Sequence, residues 1–532
     1  MGNLNAKMLF MNTNEKTVAL TGVTGAMGGE VLKSLLLSPQ NFKIRCIIFS
    51  KENKVPKFVK NLFKKYRKRI FKFKGDIACK EDCEKLLDGA DYLIHCASII
   101  PPKADHDPHG TYLSNFVGTK NLVDTVISKG NSIPFVHICT VAVYGNRTYP
   151  HVWGRVGDPM ISSDYDCYSL YKLKAERYVL DSGLNKFVSL RQTAVLHKYM
   201  LANNLKDGLM FHTSWNCPLE WVTDVDSGVL CKNLVERDLE GKLDGFWNRV
   251  YNIGGGHECR ITGFETIDEA FVVMGLKTKK IFKPDWNISR NFHGVWFYDS
   301  DELNDILDFR TETNKIFWER MGKKYWYFKI AKIVPSWLIS KLAIQRLFKN
   351  TNAPKYWIKH RIDGRVKAFF GGYGEYEKIG TDWKKFPLLC EGKLEAGEID
   401  YNDLKDITKA EKYLLNHGYD ESKPLSSLEF SDLSEAAAFR GGKCLSTDYK
   451  AGDIHKKIRW QCRDGHEFES APYTVLKGGY WCPHCCEPKP WRYGAIADIP
   501  FYGQLYFDTH SKDEVGNVYP LSDDEDNFII NK

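Results

Sequence analysis

The chain has 532 residues, of which 43% are apolar and 27% are charged, and this composition is typical of globular proteins with more than one domain. No stretch approaches about eighteen uninterrupted apolar residues, so no transmembrane helix is expected. The formal net charge is +8, but residues 51–74 alone hold eleven Lys or Arg and one acidic residue. The rest is close to neutral, so the charge does not by itself indicate a nucleic-acid-binding protein, and the basic stretch predicts a solvated helix, a phosphate contact or contact with an anionic surface.

Cysteine usage and the first residues bear on the compartment. The fifteen cysteines, four of them clustered near the C-terminus, indicate a reducing environment. The first sixteen residues lack a sustained apolar core and a signal-peptide cleavage pattern. We therefore expect a cytoplasmic protein.

Residues 17–29, TVALTGVTGAMGG, predict a strand, a glycine turn and the start of a helix. In such a turn, glycine lets a pyrophosphate reach the backbone amides, and the positive end of the helix favours the anion. The sequence therefore predicts a dinucleotide site. Its first contacts are expected to be Gly22, Thr24, Gly25, Ala26, Met27 and Gly28.

Further strands are predicted over residues 43–50, 70–73 and 92–97, alternating with helices. This alternation predicts an α/β fold, a Rossmann-type doubly wound parallel sheet with helices on both faces. An acidic residue at the end of the second strand would bind the ribose hydroxyls of NAD, but Ser50 and Lys51 stand there. The end of this strand thus favours NADP, with NAD as the alternative.

Several motifs carry a family resemblance. TGVTGAMG, GDI (75–77), DYLIHCAS (91–98), NFVGTKN (115–121), FVHICTVAVYG (135–145) and YSLYK (168–172) stand in the order and spacing typical of one family. They resemble the extended short-chain dehydrogenase/reductase (NAD-dependent epimerase/dehydratase) family, and LRQTAVL, EWVTDVDSG and YNIGGG extend the likeness to about residue 310. The resemblance implies a homodimer, catalytic roles for Thr140, Tyr168, Lys172 and Asn115, and cofactor contacts from Asp76, Ile77, Cys96, Ala97, Ser98 and Lys172.

The residues themselves support an acid–base role. Tyr168 and Lys172 are four apart, which on a helix places them on one face about one turn apart. A nearby ammonium stabilises a phenolate and lowers the pKa of the tyrosine, which can then exchange a proton with a substrate oxygen. Thr140 would hold the same oxygen near the nicotinamide. Tyr171 is the alternative tyrosine, but the i to i+4 spacing selects Tyr168.

Departures from the family pattern bear on the substrate. Val141 and Ala142 replace the Asp-Glu pair of nucleotide-sugar dehydratases, and Arg191 opens RQTA where epimerases often have RYFN. We predict an NAD(P)-dependent oxidoreductase acting on a carbonyl or secondary alcohol of a small, ring-bearing substrate. The alternatives are a nucleotide-sugar epimerase with retained NAD and a nucleotide-sensing binding protein whose C-terminal module contacts DNA or protein.

The substrate-binding part is rich in large aromatic residues. Arg191 and Arg260 could bind an anionic group there or form structural ion pairs. The aromatic residues favour an apolar or ring-bearing substrate, although most are expected in the core. They are Trp153, Phe211, Trp215, Trp221, Trp247, Phe292, Trp296, Phe297 and Tyr298.

Residues 1–315 form the predicted dehydrogenase domain, and residues 316–425 a helical lid or linker. Its beginning, 316–350, is basic, aromatic and broken by Pro335, which fits packed helices or an interfacial membrane contact.

Residues 426–495 predict a zinc-ribbon or treble-clef-like module. Cys462 and His466 form one closely spaced ligand pair, and Cys482 and Cys485 form a second about twenty residues later. A filled shell of four protein ligands predicts a structural Zn²⁺. We expect the module to dock on the dehydrogenase, with nucleic-acid contact through residues such as Arg440, Trp460 and Arg463 as the less favoured alternative. Residues 496–532 predict an acidic, mobile tail.

Overall fold

The computed structural model describes residues 15–51, 54–200, 206–486 and 491–519. Most of the first sixteen residues, on which the expectation of no signal peptide rests, lie outside these ranges. The acidic run 523–526 of the predicted tail lies entirely outside them. Within them, no helix is long and apolar enough to cross a membrane.

A seven-stranded parallel sheet forms the centre of the N-terminal part of the chain. Its central strands, such as Thr17–Thr21 and Phe135–Thr140, are almost entirely buried, as expected where helices cover both faces, whereas the edge strand Ile70–Gly75 is partly exposed. The strands predicted at 43–50, 70–73 and 92–97 are confirmed, with ends shifted by up to two residues. The strands of this sheet are β1 (Thr17–Thr21), β2 (Lys43–Phe49), β3 (Ile70–Gly75), β4 (Tyr92–His95), β5 (Phe135–Thr140), β7 (Phe187–Gln192) and β10 (Arg249–Ile253). Their order across the sheet is β10-β7-β5-β4-β1-β2-β3.

Helices cover both faces of this sheet, which confirms the doubly wound fold. On one face Leu35 and Leu234 join the core, and on the other Leu122 and Leu173 do so. The helices of this part are α1 (Ala26–Leu37), α2 (Lys57–Lys65), α3 (Lys80–Leu86), α4 (Lys103–His106), α5 (Pro108–Tyr112), α6 (Gly118–Ser128), α7 (Cys167–Leu180) and α8 (Asp224–Leu239).

A smaller part with short strands follows the sheet. It contains β6 (Trp153–Gly154), β8 (Ala194–Leu196), β9 (Pro218–Thr223), β11 (Arg260–Thr262), β12 (Trp296–Phe297), α9 (Gly263–Val273), α10 (Thr278–Ile281) and α11 (Ser300–Leu307). Most of the aromatic residues expected here pack into its core, and Trp153, Trp215 and Trp296 are completely buried. Their abundance therefore reflects packing more than substrate contact.

The region predicted as a lid or linker, 316–425, packs on this smaller part. Phe317, Trp318 and Met321 enter its core. Residues Ile407–Tyr413 form a 3₁₀ helix, and beyond it His417 bonds to buried Asp158 (Nε2 to Oδ1, 2.8 Å). The region contains α12 (Asn314–Lys324), α13 (Ser336–Ile339), α14 (Pro354–His360), α15 (Asp363–Phe370), α16 (Tyr373–Ile379), β13 (Lys393–Leu394), β14 (Gly397–Glu398) and α17 (Tyr401–Lys405).

The C-terminal part is built on a three-stranded antiparallel sheet. It comprises α18 (Phe430–Phe439), β15 (Gly442–Cys444), β16 (Ile458–Cys462), β17 (Glu467–Ser470), α19 (Pro472–Leu476), α20 (Pro483–Cys486) and α21 (Pro500–Tyr506). The predicted mobile tail from residue 496 is wrong for 496–519. Ile499, Phe501 and Tyr502 are buried in the same hydrophobic core as the module and helix α7, so the chain stays folded past the predicted boundary.

Candidate active site and metal cluster

The three glycines of the first turn have different roles. A Cβ at Gly22 would lie 2.7 Å from the backbone of Cys96 and Ala97, and Gly22 has a positive φ of 73°. A Cβ at Gly28 would lie 2.2 Å from the carbonyl oxygen of Gly22. These two glycines are required by the turn itself, whereas a Cβ at Gly25 would meet only one atom, at 3.3 Å.

Gly25 is therefore the position whose missing side chain leaves room for a ligand. It is the N-cap of α1, so the first amides of that helix, at Ala26 and Met27, point toward the same open space. The glycines thus differ in how closely the turn packs around them, and contact of Gly22, Gly25 and Gly28 with a pyrophosphate stays a prediction.

The other predicted cofactor residues lie at the carboxyl ends of neighbouring strands. Ser50 ends β2 and donates its amide to the carbonyl of Gly75 (2.9 Å), next to Asp76 and buried Ile77. The amide of Ala97 donates to Thr21 Oγ1 (3.0 Å), which fixes the end of β4 against β1.

Two observations in this group bear on a ligand. Ser98 Oγ is buried without a hydrogen-bond partner among the described residues, and it lies in the same loop as Cys96. Lys51 is exposed. The open space at Gly25, the free helix amides and this unsatisfied hydroxyl fit a bound dinucleotide, which these residues would hold.

Thr140 and Tyr168 come together at the end of β5. The Thr140 hydroxyl lies close enough to the Tyr168 phenol to lower its pKa, and Thr140 Oγ1 accepts from the amide of Ala142 (3.2 Å). Tyr168 lies in the first turn of α7, which Asp166 caps by accepting from the amide of Ser169 (2.9 Å). Tyr171, the alternative tyrosine, is buried in the core on another side of the helix, 5.4 Å from the Tyr112 ring.

Lys172 is fully buried and bonds to residues of strand β5. Its Nζ donates to the carbonyl of Ile138 (2.7 Å) and contacts Nε2 of His137 (3.2 Å). Burial lowers the pKa of Lys172 and raises that of Tyr168, where the Thr140 hydrogen bond opposes the rise. The expected lowering of the Tyr168 pKa by Lys172 is not seen, because burial of the phenol raises this pKa.

Asn115 lies in a π-helical turn, Leu113–Val117, between α5 and α6. Its side chain accepts from the amide of Ile99 (2.8 Å) and donates to the carbonyl of Ile99 (2.9 Å). Asn115 therefore fixes the loop after β4, the same loop that carries Ser98. Such π-turns are frequent at functional sites.

A buried hydrogen-bonded network continues from Lys172 and was not predicted. Burial lowers the pKa of His137 well below its usual value, so its ring is neutral. With Lys172 donating to Nε2, the ring proton lies on Nδ1, which faces Ser189 Oγ (3.0 Å). Ser189 then donates to Glu176 Oε1 (2.7 Å). The chain Lys172–His137–Ser189–Glu176 is consistent in every donor and acceptor, and it fixes the position of the lysine.

Glu176 ends this network in a fully buried ion pair with Arg191 (Nη2 to Oε2, 2.8 Å). Arg260 forms a second buried pair with Glu220 (Nε to Oε2, 3.1 Å). Of the two alternatives for these arginines, the structure therefore supports the structural ion pair. The sequence signal was faint, since Arg191 and Glu176 belong to different elements and meet only because helix α7 packs on strand β7.

The C-terminal cluster brings together the four predicted ligands Cys462, His466, Cys482 and Cys485. Their ligand atoms lie within 4.8 Å of one another. The Sγ atoms of Cys462 and Cys485 are 3.7 Å apart, and each lies 3.4 Å from Nδ1 of His466. Ligands about 2.3 Å from a tetrahedral zinc would place sulfurs about 3.7–3.8 Å apart, so the cluster fits Zn²⁺.

The module that carries this cluster docks on helix α7. Tyr480 Oη donates to Glu176 Oε2 (2.8 Å), and Arg177 Nη1 donates to the carbonyl of Trp481 (2.7 Å). Asp181, the C-cap of α7, accepts from the amide of Ala471 (3.0 Å) and from two hydroxyls of the same segment. The expected docking on the dehydrogenase is thus seen in these contacts.

Residues 19–194 match the model of the 3-beta hydroxysteroid dehydrogenase/isomerase family. An uncharacterized membrane protein of Methanocaldococcus jannaschii is 25% identical over 22% of this chain and 33% of its own length. UDP-glucose 4-epimerase of Vibrio cholerae is 26% identical over 51% of this chain and 80% of its own length. dTDP-glucose 4,6-dehydratase of Streptomyces antibioticus is 27% identical over 35% of this chain and 56% of its own length. The chain thus spans less than two thirds of the first and third of these relatives.

Among solved structures, dTDP-glucose 4,6-dehydratase of Bacillus anthracis in complex with NAD has a TM-score of 0.47 and 18% identity, covering 59% of this chain and 97% of that one. UDP-glucuronic acid 4-epimerase of Bacillus cereus in complex with UDP-glucuronic acid and NAD has a TM-score of 0.46 and 18% identity. The similarity covers 59% of this chain and 99% of that one.

The family model spans the glycine turn, the strand with Thr140 and the helix with Tyr168 and Lys172. The match over residues 19–194 confirms the resemblance of this part of the chain to the extended short-chain dehydrogenase/reductase family, the group that contains NAD-dependent epimerases and dehydratases.

Proposed function

We propose that this protein is an NAD(P)-dependent oxidoreductase that acts on a carbonyl or secondary alcohol of a small, ring-bearing substrate. This proposal rests on the proximity of the Thr140 and Tyr168 hydroxyls at the carboxyl edge of the sheet, the edge that also presents the open turn at Gly25. Two hydroxyls from different elements converge there on one point. A substrate oxygen placed between them would receive hydrogen bonds from both.

The bound nicotinamide would supply or accept a hydride at the substrate carbon. Thr140 positions the substrate oxygen, and Tyr168 gives that oxygen a proton during reduction or takes it during oxidation. Lys172 holds a positive charge one helical turn from Tyr168, which favours the phenolate left when the proton departs. The His137–Ser189–Glu176 network keeps that ammonium in place.

We expect NADP as the preferred cofactor, with NAD as the alternative. Ser50 and Lys51 at the end of β2 provide a hydroxyl and a cation where an acidic residue would repel a 2′-phosphate. Lys103 adds a second cation near this end, with its Nζ 5.8 Å from the centre of the Phe49 ring.

An epimerase with retained NAD is the second candidate. The Vibrio cholerae relative, a UDP-glucose 4-epimerase covered over 80% of its length, favours it. A dehydratase is not proposed, because Val141 and Ala142 stand where the acid and base would be needed.

A nucleotide-sensing DNA-binding role receives less support. Arg440 and Trp460 are completely buried, and Arg463 is paired with Asp498 (2.5 Å). We propose instead that the module is a scaffold held together by a structural Zn²⁺ at Cys462, His466, Cys482 and Cys485. A homodimer and a cytoplasmic location stay predictions.

Titration of the purified full-length protein with NADPH and NADH, followed by nicotinamide fluorescence, tests the proposal. Binding in the micromolar range, lost in Gly25→Trp, is expected, because an indole would fill the space in front of the turn. Reduction of ring-bearing ketones should then be lost in Tyr168→Phe and kept in Tyr171→Phe. NAD released only on denaturation would favour the epimerase, and no nucleotide in either assay would contradict the enzyme proposal.

A further inference from the structure

The surface formed by residues 326–342 has an unusual distribution of apolar side chains. It begins with a 3₁₀ helix, Trp326–Ile333, and continues through α13 to Leu342. Its exposed large side chains include Trp326 (68% exposed), Ile330 (59%), Ile333 (82%), Trp337 (65%) and Leu342 (62%). Exposure of so many large apolar residues in one short segment is rare on the surface of a monomeric protein and marks an interaction site.

The geometry of the 3₁₀ helix explains how these side chains are arranged. Side chains three residues apart eclipse one another in such a helix, so it presents three rows. Phe328 and Ala331 form the inner row, which packs on the aromatic core of the smaller part. Tyr327, Ile330 and Ile333 form an outer row that is entirely exposed.

The third row consists of Trp326, Lys329 and Lys332, and all three are exposed. The helix is therefore anchored by one row, and its two outer rows place apolar and cationic side chains next to each other. Tryptophan and lysine in this arrangement suit the boundary between lipid headgroups and acyl chains.

The charge of the surroundings points to the same partner. Residues 320–349 contain eight Lys or Arg and no Asp or Glu. Arg320 pairs with Glu312 (2.8 Å), whereas Lys323, Lys324 and Lys341 form no ion pair with any residue that the structure describes. Protein–protein interfaces are depleted in lysine, whereas anionic membranes attract clusters of it.

We propose that the surface of residues 326–342 docks this protein peripherally on an anionic lipid bilayer. Because no helix in the described ranges could span the membrane, the contact would be interfacial, with Trp326, Ile333 and Trp337 entering the headgroup boundary. The lysines around them would neutralise lipid phosphates. The proposal does not depend on the catalytic activity.

The docking surface adjoins the dehydrogenase. Tyr325 Oη donates to the carbonyl of Lys198 (2.9 Å), and Lys198 Nζ lies 3.5 Å from Glu30 of α1. Docking would therefore bring the junction of α1 and the smaller part close to the bilayer.

Co-sedimentation of the full-length protein with vesicles tests the proposal. Vesicles of phosphatidylcholine and phosphatidylglycerol in equal parts should bind the protein at least about tenfold more tightly than vesicles of phosphatidylcholine alone, and high salt should weaken this binding. The double variant Trp326→Ser/Ile333→Ser should lose it by about tenfold or more, with unchanged thermal unfolding because both side chains are exposed. Leu37→Ser/Val518→Ser, which removes exposed apolar side chains elsewhere, should bind like the wild type.

A charge-reversal pair separates this surface from the basic helix α2. Lys329→Glu/Lys332→Glu should abolish binding, whereas Lys60→Glu/Lys64→Glu, with the same change of charge on α2, should keep most of it. The proposal is overturned if the wild type does not sediment with anionic vesicles or if only the α2 variant loses binding. It is also overturned if Trp326→Ser/Ile333→Ser binds normally, or dissociates an oligomer instead, since the surface would then be a contact between copies of this chain.

Discussion

Replacing Tyr480 by Phe tests whether the C-terminal module supports helix α7, which carries Tyr168 and Lys172. The substitution removes a single hydroxyl, which donates to Glu176 over 2.8 Å in a fully buried setting. A hydrogen bond to a charged acceptor contributes about 1.5–3 kcal/mol. Glu176 keeps its bonds to Arg191 and Ser189, so we expect the lower end, a loss of about 1.5–2 kcal/mol in the free energy of unfolding.

The assay is denaturant unfolding of the full-length protein, followed by tryptophan fluorescence. Tyr171→Phe is the matched control. Tyr171 lies on α7, the helix that carries Glu176, and its buried hydroxyl has no hydrogen-bond partner in the described part of the chain. Removing it should cost nothing or slightly stabilise the protein. If Tyr480→Phe and Tyr171→Phe unfold alike, the module does not support α7 through this bond and the reasoning is refuted.

Three further predictions concern the metal, the active site and pH. Removing the metal with a chelator, or replacing Cys485 by Ser, should unfold the C-terminal part and lower the thermal midpoint, and one zinc per chain should be measured before chelation. His137→Leu should lower kcat about tenfold or more with little change in KM, because Lys172 loses one of its two acceptors and keeps only the Ile138 carbonyl, and His137→Gln should restore part of the activity; equal activity of both variants would contradict the positioning role. Burial raises the pKa of Asp164 to about 7, with Arg290 opposing, so its ionisation disfavours the folded state. The stability advantage of Asp164→Asn over the wild type should therefore grow from about pH 4 to pH 7 and then stay constant, and a difference independent of pH would refute this.

Local patterns allowed the sequence to predict the strand, glycine turn and first helix, and the placement of Tyr168 and Lys172 on one helix. The spacing of the glycines and of Tyr168 and Lys172 is set by one turn and one helix, so no distant residue is needed to recognise it. The separate roles of Gly22 and Gly25 were not predictable, because they depend on how closely the end of β4 approaches β1.

The network behind Lys172 depends on tertiary contacts. His137 and Ser189 lie on neighbouring strands whose register pairs them directly, and Glu176 joins them from α7. Each of these residues, read alone, is an ordinary polar residue in a buried element. Only the order of the strands shows that they form one chain of hydrogen bonds.

The mistaken boundary at residue 496 has a different cause. The acidic residues of the last segment suggested solvent exposure, and this outweighed a short apolar pattern at Phe501, Tyr502 and Leu505. Those three residues share one face of α21 and bury it against the module. The helical spacing of Phe501, Tyr502 and Leu505 was the sequence signal that predicts a folded helix beyond residue 496.

The position of the metal cluster suggests why such a module is fused to a dehydrogenase. The segment just before Cys482 carries Gly478, Tyr480 and Trp481, which bond to Arg191, Glu176 and Arg177 respectively. A metal bound at Cys482 would fix one end of this segment, and so it would fix the groups that hold Glu176. Because Glu176 ends the network that positions Lys172, we infer that metal binding and the geometry of the catalytic helix are coupled through a few consecutive residues.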